Sequence, residues 1–234
     1  MQTLDAIVTS IRRATPNTRI VRVRPCRQPF RYRAGQAAEI GPPTATALTP
    51  YSIASAPEDT ARDGCLEFLV KVDSHERWGD DYDALARGAS LRLRGPFGRF
   101  TFPDTVTTGR FLLIAGGTGI APLRAMIRHG RALESGLEFR LLYSARTPAD
   151  FAYRAELVGM ARRREIELTL TATRDVPDRW RGERGRITRR QLTPLMEERP
   201  QQCFVCGPKS MVDDVPRILV ELGIERSRIR VEDW

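Results

Sequence analysis

The chain has 234 residues, of which 41% are hydrophobic, so it is long enough for two ordinary domains that each bury a core. No apolar run approaches the roughly 18 residues of a membrane span, and the amino terminus lacks the basic and then apolar profile of a signal peptide, so we expect a cytoplasmic location. The net charge of +9 is accompanied by no recognisable nucleic-acid-binding motif and by few aromatic residues among the basic ones, which disfavours nucleic acid as a partner.

Up to about Phe102, short apolar segments alternate with polar residues at a period of two and are separated by turn residues. This pattern is typical of strands with one buried face, so we predict an antiparallel barrel or sandwich. One helix is predicted at 80–86, because Arg87-Gly88 would end it in a left-handed cap. The predicted strands are 6–8, 18–23, 36–40, 66–72 and 90–94.

After Pro103 the pattern changes to apolar strands that alternate with amphipathic helices, which is typical of a parallel sheet with right-handed crossovers. A segment such as 111–114 is wholly apolar, which fits burial on both faces. We therefore place the boundary between residues 103 and 109 and predict two domains, 1–104 and 105–234. The predicted strands are 110–115, 138–143, 167–172, 202–206 and 228–232, and the predicted helices are 121–133, 151–164, 189–196 and 209–222.

The four cysteines, Cys26, Cys65, Cys203 and Cys206, do not have the spacing of a disulfide framework, so reduced thiols are expected. The last two form a C-x-x-C pair. No second pair follows at zinc-site spacing, and a strand would direct this pair to opposite faces. We therefore predict neither a metal site nor a disulfide there.

Gly116-Gly117-Thr118-Gly119 lies between a predicted buried strand and a predicted helix. Without side chains here, the backbone would approach a ligand at the helix amino terminus, where amide donors and the helix dipole favour phosphate. The segment is neither the usual dinucleotide-binding fingerprint, because Pro122 stands at the third glycine position, nor a P-loop, because no Lys-Ser pair follows. On spacing alone, a tight structural turn is an equal alternative.

Four segments occur in an order and context that resemble the ferredoxin–NADP reductase family: Pro-Tyr-Ser-Ile-Ala-Ser at 50–55, Gly-Pro-Phe-Gly at 95–98, Gly-Gly-Thr-Gly-Ile-Ala-Pro at 116–122 and Cys-Gly-Pro-Lys-Ser-Met at 206–211. The resemblance covers essentially the whole chain and is most specific in the carboxy-terminal half. It implies an all-β, antiparallel Greek-key FAD-binding barrel followed by an α/β, Rossmann-like NAD(P)-binding domain. It also implies that hydride passes from nicotinamide to the flavin N5 and that electrons leave singly to a protein acceptor.

In the barrel, the resemblance implies that Tyr51 stacks on the isoalloxazine and that Ser52 hydrogen-bonds near the flavin N5. It further implies backbone contacts from Ile53 and Ala54. An ordinary barrel residue is the alternative for Tyr51. The other residues assigned to the flavin site are Thr49, Pro50, Val70 and Val72.

In the second domain, Cys206 resembles the family's cysteine beside the nicotinamide, although a buried apolar thiol is the usual role of cysteine. The ending Glu232-Asp233-Trp234 resembles that of reductases whose last ring covers the flavin and yields to nicotinamide, and a frayed tail is the alternative. The residues assigned to catalysis are Ser52, Cys206, Glu232 and Trp234. The other residues assigned to nucleotide binding are Gly116, Gly117, Thr118, Gly119, Ala121, Pro122, Ser144, Thr173, Gly207, Pro208 and Met211.

Arginine supplies every basic residue except Lys71 and Lys209. Arg146, Arg174 and Arg186 fall where NADP-preferring members of the family gather arginines around the 2′-phosphate, and guanidinium groups suit phosphate geometry. No acidic residue suited to a ribose diol stands beside Arg146. We therefore predict NADP as the nucleotide, with NAD as the alternative.

Two departures from the family pattern weaken the predicted flavin site. Thr49 stands where most members have an arginine that clamps the FAD pyrophosphate. The family's Gly-x-x-Ser element is missing from 75–82, where the sequence is His-Glu-Arg-Trp-Gly-Asp-Asp-Tyr. The two carboxylates at the predicted helix start, Asp80 and Asp81, would repel a pyrophosphate. We hypothesise that Arg77 replaces the lost charge and that Trp78 stacks on adenine.

The leading hypothesis is a flavoprotein that takes hydride from NADPH and delivers electrons to a separate ferredoxin- or flavodoxin-type protein. Its basic surface would suit an acidic acceptor. The alternatives are the reductase component of an oxygenase system, a flavin reductase and, from another class, a non-catalytic nucleotide-binding subunit that holds flavin weakly or has lost it.

Overall fold

The computed structural model describes residues 1–72, 86–106, 108–133 and 136–233. The chain divides into two compact units, one of Met1–Phe102 with Arg124–His129 and one of Pro103–Leu123 with Gly130–Trp234. Each unit has its own six-stranded sheet. None of the helices within the described ranges is long and apolar enough to cross a membrane.

The strands of the first unit are β1 Gln2–Thr15, β2 Thr18–Pro25, β3 Ala37–Gly41, β4 Thr49–Ser52, β5 Leu66–Lys71 and β6 Ser90–Phe97. They pair antiparallel in the order β4-β3-β6-β1-β2-β5. The two outer strands meet through a bridge between Ile53 and Phe68 and through a 2.7 Å hydrogen bond from the Ala54 amide to the Glu67 carbonyl. The sheet therefore closes on itself, and the antiparallel barrel predicted from the sequence is confirmed.

Period-two alternation along the strands produces the barrel core. In β6, Leu91 and Leu93 are buried while Arg92 between them is exposed. These leucines belong to one apolar cluster with residues of the neighbouring strands, including Val8 and Val21. The helix predicted at 80–86 falls almost wholly outside the described residues.

One helix of the first unit, α1 Pro57–Asp63, was not predicted. Its ends nevertheless carry recognisable signals, because Pro57 occupies the first helical position and the Asp59 carboxylate accepts the Ala56 amide at 3.2 Å. Gly64 closes the helix with a φ of 71°. Seven residues are too few for a 3.6-residue period to be visible in the sequence.

Paired charges connect α1 to the Arg124–His129 segment within the first unit. Arg128 donates two hydrogen bonds of 2.6 Å to Asp59, from Nε to Oδ2 and from Nη2 to Oδ1. His129 Nδ1 lies 2.8 Å from Glu58 Oε1. The bidentate geometry of the Arg128–Asp59 pair makes it the stronger of the two contacts.

Arg124 is a buried cation in the same unit. Its Nη1 donates to the Ala54 carbonyl at 2.6 Å and lies 3.2 Å from the buried carboxylate of Glu67. A buried charge is costly unless it is paired, and here Arg124 and Glu67 pair with each other. Arg124 is hydrogen-bonded through the Ala54 carbonyl, whereas Glu67 Oε1 accepts no hydrogen bond from any described residue.

The strands of the second unit are β7 Thr108–Gly116, β8 Gly136–Ala145, β9 Glu167–Ala172, β10 Glu183–Arg184, β11 Gln202–Gly207 and β12 Ile229–Asp233. Its helices are α3 Arg154–Arg162, α4 Arg189–Leu192 and α5 Lys209–Glu221, together with the two ends of α2 Ile120–Ala132, whose residues Arg124–His129 are counted with the first unit. All strand pairs are parallel, in the order β10-β9-β8-β7-β11-β12. The parallel α/β class predicted from the alternation of elements is confirmed.

Two predicted helices differ from the structure for local reasons. The helix predicted at 151–164 begins only at Arg154, because Tyr153 before it has a left-handed φ of 59°. The helix predicted at 189–196 divides into α4 and a 3-10 turn, Thr193–Met196, in which Pro194 lacks an amide donor. Strand β10 has two residues and was not predicted.

Candidate nucleotide and flavin sites

The carboxyl ends of β7 and β11 bring two sequence motifs together. β7 ends in the glycine turn, where a short 3-10 helix, Gly117–Gly119, runs directly into α2. β11 ends in Cys206-Gly207, which leads through Pro208 into α5. The two strands are parallel neighbours, with Ala115 opposite Cys206. The chain order of the strands reverses between them, and ligands of such sheets bind at the carboxyl edge at this reversal.

Most glycines of these two turns are required by contacts within the protein. A Cβ on Gly119 would lie 2.3 Å from the Cys206 carbonyl oxygen. A Cβ on Gly116 or on Gly207 would lie 2.8 Å from the Met211 side chain. The sequence suggested that a ligand needs this space, but at these three positions the neighbouring turn and the start of α5 already occupy it.

Gly117 is the glycine that leaves space for a ligand. It is exposed, its φ is +56°, and a Cβ on it would meet nothing within 4 Å among the described residues. Its carbonyl accepts a 3.0 Å hydrogen bond from Tyr143, and Thr118 after it is half-buried. Ala121 and Pro122 are buried in the first turn of α2, so their predicted ligand contacts are limited to the backbone.

Cys206 is fully buried and lies opposite Glu232 of β12. Burial raises the pKa of the Cys206 thiol well above its ordinary value, and the charges of Glu232 and Asp233 raise it further. The side chain is therefore a neutral thiol at physiological pH and not a nucleophilic thiolate. Trp234 lies outside the described residues.

Two predicted phosphate-binding arginines stand next to each other at the same edge of the sheet. Arg146 follows β8 and Arg174 follows β9, and the Arg174 amide donates to the Arg146 carbonyl at 2.6 Å. The Thr173 amide donates to the same carbonyl at 3.1 Å. Ser144 is buried opposite Gly116 and lies one strand away from the glycine turn.

The third arginine, Arg186, reaches this edge through β10. The Gly185 amide donates to the Ala172 carbonyl at 2.9 Å, and Thr171 Oγ1 donates to the Gly185 carbonyl at 2.7 Å. All three arginines are exposed, and within the described residues none of them forms an ion pair. Their charges are therefore available to an anionic ligand.

The flavin motif of the barrel contains a mostly buried serine, Ser52, whose hydroxyl is not engaged by any described residue. Ser52, at the end of β4, is 6% exposed, and its hydroxyl has no hydrogen-bond partner among the described residues. Tyr51 before it belongs to the barrel core cluster. Its stacking on a flavin remains a prediction, since burial in the core is also what an ordinary barrel residue shows.

The backbone amides of Ile53 and Ala54 are already used in closing the barrel. Ile53 donates to the Gln36 carbonyl at 2.9 Å and Ala54 donates to the Glu67 carbonyl at 2.7 Å. The predicted backbone contacts of these two residues with a flavin therefore exclude their amides, and the Ala54 carbonyl already accepts a hydrogen bond from Arg124.

The other predicted flavin residues lie on β4 and β5. Thr49 and Pro50 are half-buried in β4. Val70 is buried in the barrel core, and the Val72 amide donates to the Asn17 carbonyl at 3.0 Å. Contacts of these four residues with a flavin remain predictions.

Two of the predicted flavin residues fall outside the described chain, and two aromatic residues of the second unit were not predicted. Arg77 and Trp78 lie outside the described residues. Within the described ranges, no group of three or more His, Cys, Asp or Glu side chains is arranged to hold a metal ion. Sequence reasoning treated Tyr143 only as a strand residue and assigned nothing to Trp180. The position of Tyr143, an aromatic residue near the end of an otherwise aliphatic strand, was the sequence signal that could have indicated its contact with the glycine turn.

Residues 113–217 match the family model of the oxidoreductase NAD-binding domain. The chain is 34% identical over 194 residues to ferredoxin–NADP reductase B of Sorangium cellulosum, which covers 79% of this chain and 77% of that protein. It is 29% identical over 235 residues to the reductase component of propane 2-monooxygenase of Mycolicibacterium smegmatis, which covers 90% of this chain but 62% of that protein. The fold is similar to that of an Amycolatopsis cytochrome P450 reductase, with a TM-score of 0.86, 26% identity and coverage of 99% of this chain and 69% of that one.

Proposed function

The chain belongs to the ferredoxin–NADP reductase family, and we propose that it is an FAD-dependent NAD(P)H oxidoreductase. Hydride from NAD(P)H enters as an electron pair, and the electrons leave one at a time to a separate ferredoxin- or flavodoxin-type protein. FAD, when bound, supplies this change from a two-electron donor to one-electron steps. We assign FAD to residues 1–104 and the nucleotide to residues 105–234.

The observation that carries the flavin assignment is the Ser52 hydroxyl. Ser52 is only 6% exposed, yet its hydroxyl oxygen is not among the fully buried unpartnered atoms and has no hydrogen-bond partner in the described part of the chain, so it is open to a ligand. A flavin N5 at this position would supply the missing partner. Tyr51, next along β4, has the aromatic surface that stacking on an isoalloxazine requires.

The nucleotide assignment uses the edge between β7 and β11. We assign the pyrophosphate to the exposed backbone at Gly117 and Thr118, where helix amides and the helix dipole favour an anion. We assign the nicotinamide to the vicinity of Cys206, whose thiol is buried and neutral and therefore would not attack the ring. Glu232 is a second candidate at this position, because it lies opposite Cys206 in the sheet.

NADP is the preferred nucleotide in this proposal. The exposed guanidinium groups of Arg146, Arg174 and Arg186 have no ion-pair partner among the described residues. Such groups match the geometry and charge of a 2′-phosphate, which NADP carries and NAD lacks.

The acceptor in this proposal is an acidic electron-transfer protein. The net charge of +9 would draw such a partner to the surface by long-range attraction. A Rieske or ferredoxin component of an oxygenase system is the nearest alternative acceptor, and free flavin is the other. We also propose a cytoplasmic location, which suits the four free cysteines.

Anaerobic stopped-flow mixing with NADPH and with NADH tests the proposal. The purified protein is expected to be yellow, its flavin absorption should bleach at lower concentrations of NADPH than of NADH, and it should reduce an added [2Fe–2S] ferredoxin. A colourless protein to which added FAD does not bind would contradict the proposal and favour a non-catalytic nucleotide-binding subunit. Reduction of free flavin but of no protein acceptor would instead identify a flavin reductase.

Thr49 carries no charge to bind the FAD pyrophosphate, and we assign this role to Arg77. We assign the stacking on the FAD adenine to Trp78. Arg77→Ala is expected to lower the fraction of FAD that stays bound through gel filtration. Unchanged retention would remove Arg77 from the site.

A further inference from the structure

Trp180 lies between two side chains of the second unit. Its ring stacks on Phe151, with centroids 5.5 Å apart and planes 7° apart. The guanidinium group of Arg154 lies over the indole ring, with its Cζ atom 5.3 Å from the ring centroid. The indole Nε1 donates to the Glu183 carbonyl at 2.9 Å. Both the ring of Trp180 and its Nε1–H group are thus used in contacts within the protein. These contacts fix the loop that carries Trp180.

That loop, residues 173–188, carries two of the three phosphate-binding candidates, Arg174 and Arg186. Its two limbs are tied by Arg184, which donates to the Val176 carbonyl at 2.9 Å and to the neighbouring Pro177 carbonyl at 3.0 Å. The loop is therefore internally braced, and the stack of Trp180 on Phe151 joins it to the start of α3.

The contacts continue from Phe151 to the glycine turn. Phe151 meets Tyr143 edge to face, with centroids 5.0 Å apart and planes at 86°. The Tyr143 hydroxyl donates to the Gly117 carbonyl at 3.0 Å and accepts the Ala152 amide at 3.2 Å. A continuous series of contacts thus links the arginine-bearing loop to the turn assigned to the pyrophosphate.

We propose that Trp180 is a positioning residue that holds Arg174 and Arg186 at a set distance from Gly117. A dinucleotide with a 2′-phosphate must satisfy both places at once, and a preorganised spacing avoids the cost of ordering flexible arginine side chains during binding. A nucleotide without the 2′-phosphate does not use this spacing. The inference rests on the proposed function and makes Trp180 a determinant of nucleotide choice.

The test compares Trp180→Ala and Trp180→Phe with the wild-type holoenzyme. Trp180→Ala is expected to raise the KM for NADPH about tenfold, because the arginines must then be ordered during binding, and to leave kcat and the KM for NADH within about twofold. Trp180→Phe keeps a ring over Phe151 and should restore most of the NADPH affinity. In calorimetric binding experiments, Trp180→Ala should weaken the affinity for adenosine 2′,5′-bisphosphate and leave the affinity for 5′-AMP unchanged.

Arg154→Ala is the matched control, since it removes a contact of the indole but leaves the stack on Phe151. It is expected to keep both KM values within about twofold. The inference is overturned if Trp180→Ala keeps the wild-type ratio of NADPH to NADH affinity, or if Arg154→Ala lowers that ratio equally. If the wild-type protein itself does not prefer the 2′-phosphorylated ligand, the proposed NADP preference fails first and this inference fails with it.

Discussion

The two serines of the flavin motif use their hydroxyls differently. Ser52 has no hydroxyl partner in the described chain, whereas Ser55 Oγ accepts the Glu67 amide at 3.1 Å and lies 3.0 Å from the Tyr32 hydroxyl. We expect Ser52→Ala to change the free energy of unfolding by less than about 0.5 kcal/mol, because no protein hydrogen bond is lost. If Ser52 contacts the flavin as proposed, flavin reduction by NADPH should slow about tenfold or more in stopped-flow measurements.

Ser55→Ala is the matched control for Ser52→Ala. It leaves the Glu67 amide without its hydroxyl acceptor, so we expect a loss of about 1–3 kcal/mol in the free energy of unfolding. Equal destabilisation by the two substitutions would show that Ser52 is an ordinary structural residue.

The exposed arginines at the carboxyl edge of the second sheet give a second prediction at the residue scale. Alanine at Arg146, Arg174 or Arg186 should raise the KM for NADPH about tenfold, which is the effect of losing one charge-assisted hydrogen bond. The KM for NADH should stay within about twofold. Arg162→Ala removes an exposed arginine at the end of α3 and should change neither value. Equal losses with both nucleotides would contradict a role in binding the 2′-phosphate.

At the scale of elements, two glycines of one turn are expected to respond in opposite ways. Gly119→Ala places a Cβ against the Cys206 carbonyl, so thermal unfolding should show that the free energy of unfolding falls by about 1–3 kcal/mol. Gly117→Ala meets open space and is limited to the strain of a left-handed φ, about 1–2 kcal/mol. The Gly117 variant should nevertheless bind NADPH more weakly, since its methyl group would enter the space that we assign to the pyrophosphate. Unchanged affinity there would remove the turn from the nucleotide site.

The sequence identified this turn but not the reason for most of its glycines. A glycine between a strand and a helix indicates close approach, yet what approaches is set by residues far along the chain, here Cys206 and Met211. Helix α1 was missed for a different reason, because its signals lie in its two ends and not in a period. By contrast, β9 was predicted to its exact bounds, since apolar strands of a parallel sheet are visible without any knowledge of their neighbours.

The contact between α1 and the Arg124–His129 segment gives a prediction for acid stability. Burial alone would raise the pKa of Asp59, but the hydrogen bonds and charge of Arg128, together with the Ala56 amide and Arg62, lower it from the ordinary 3.8 to about 2. Because the folded-state pKa lies below the unfolded one, the carboxylate stabilises the fold above about pH 4 and loses this effect as the pH falls towards 2.

We therefore expect Asp59→Asn to lower the free energy of unfolding by about 2 kcal/mol at pH 7 and by far less at pH 2 to 3. Urea denaturation at several pH values measures both quantities. Asp63→Asn is the control, because the Asp63–Arg22 pair is about one third exposed and should contribute no more than about 1 kcal/mol. A loss for Asp59→Asn that does not vary with pH would contradict the assignment.

For the whole molecule, the order of motifs in the sequence predicted an all-β unit followed by a parallel α/β unit, and with them the family. It did not predict which polar groups have no partner within the protein. The Trp180 stack joins residues far apart in the sequence, and the Ser52 hydroxyl is distinguished only by the absence of a partner among the described residues. Spacing in the sequence carries no information about either feature.

The net charge of +9 gives the final prediction, which concerns encounter with the acceptor. Attraction between a basic reductase and an acidic ferredoxin weakens as salt shortens the screening length from about 10 Å at 0.1 M to about 3 Å at 1 M. At saturating NADPH, kcat/KM for ferredoxin should therefore fall about tenfold between 50 mM and 500 mM NaCl. Cytochrome c, a basic acceptor, should show no such fall, because salt then screens a repulsion, and a small neutral quinone should be nearly insensitive to salt. A rate with ferredoxin that does not depend on salt would indicate that docking uses apolar contacts and not the basic surface.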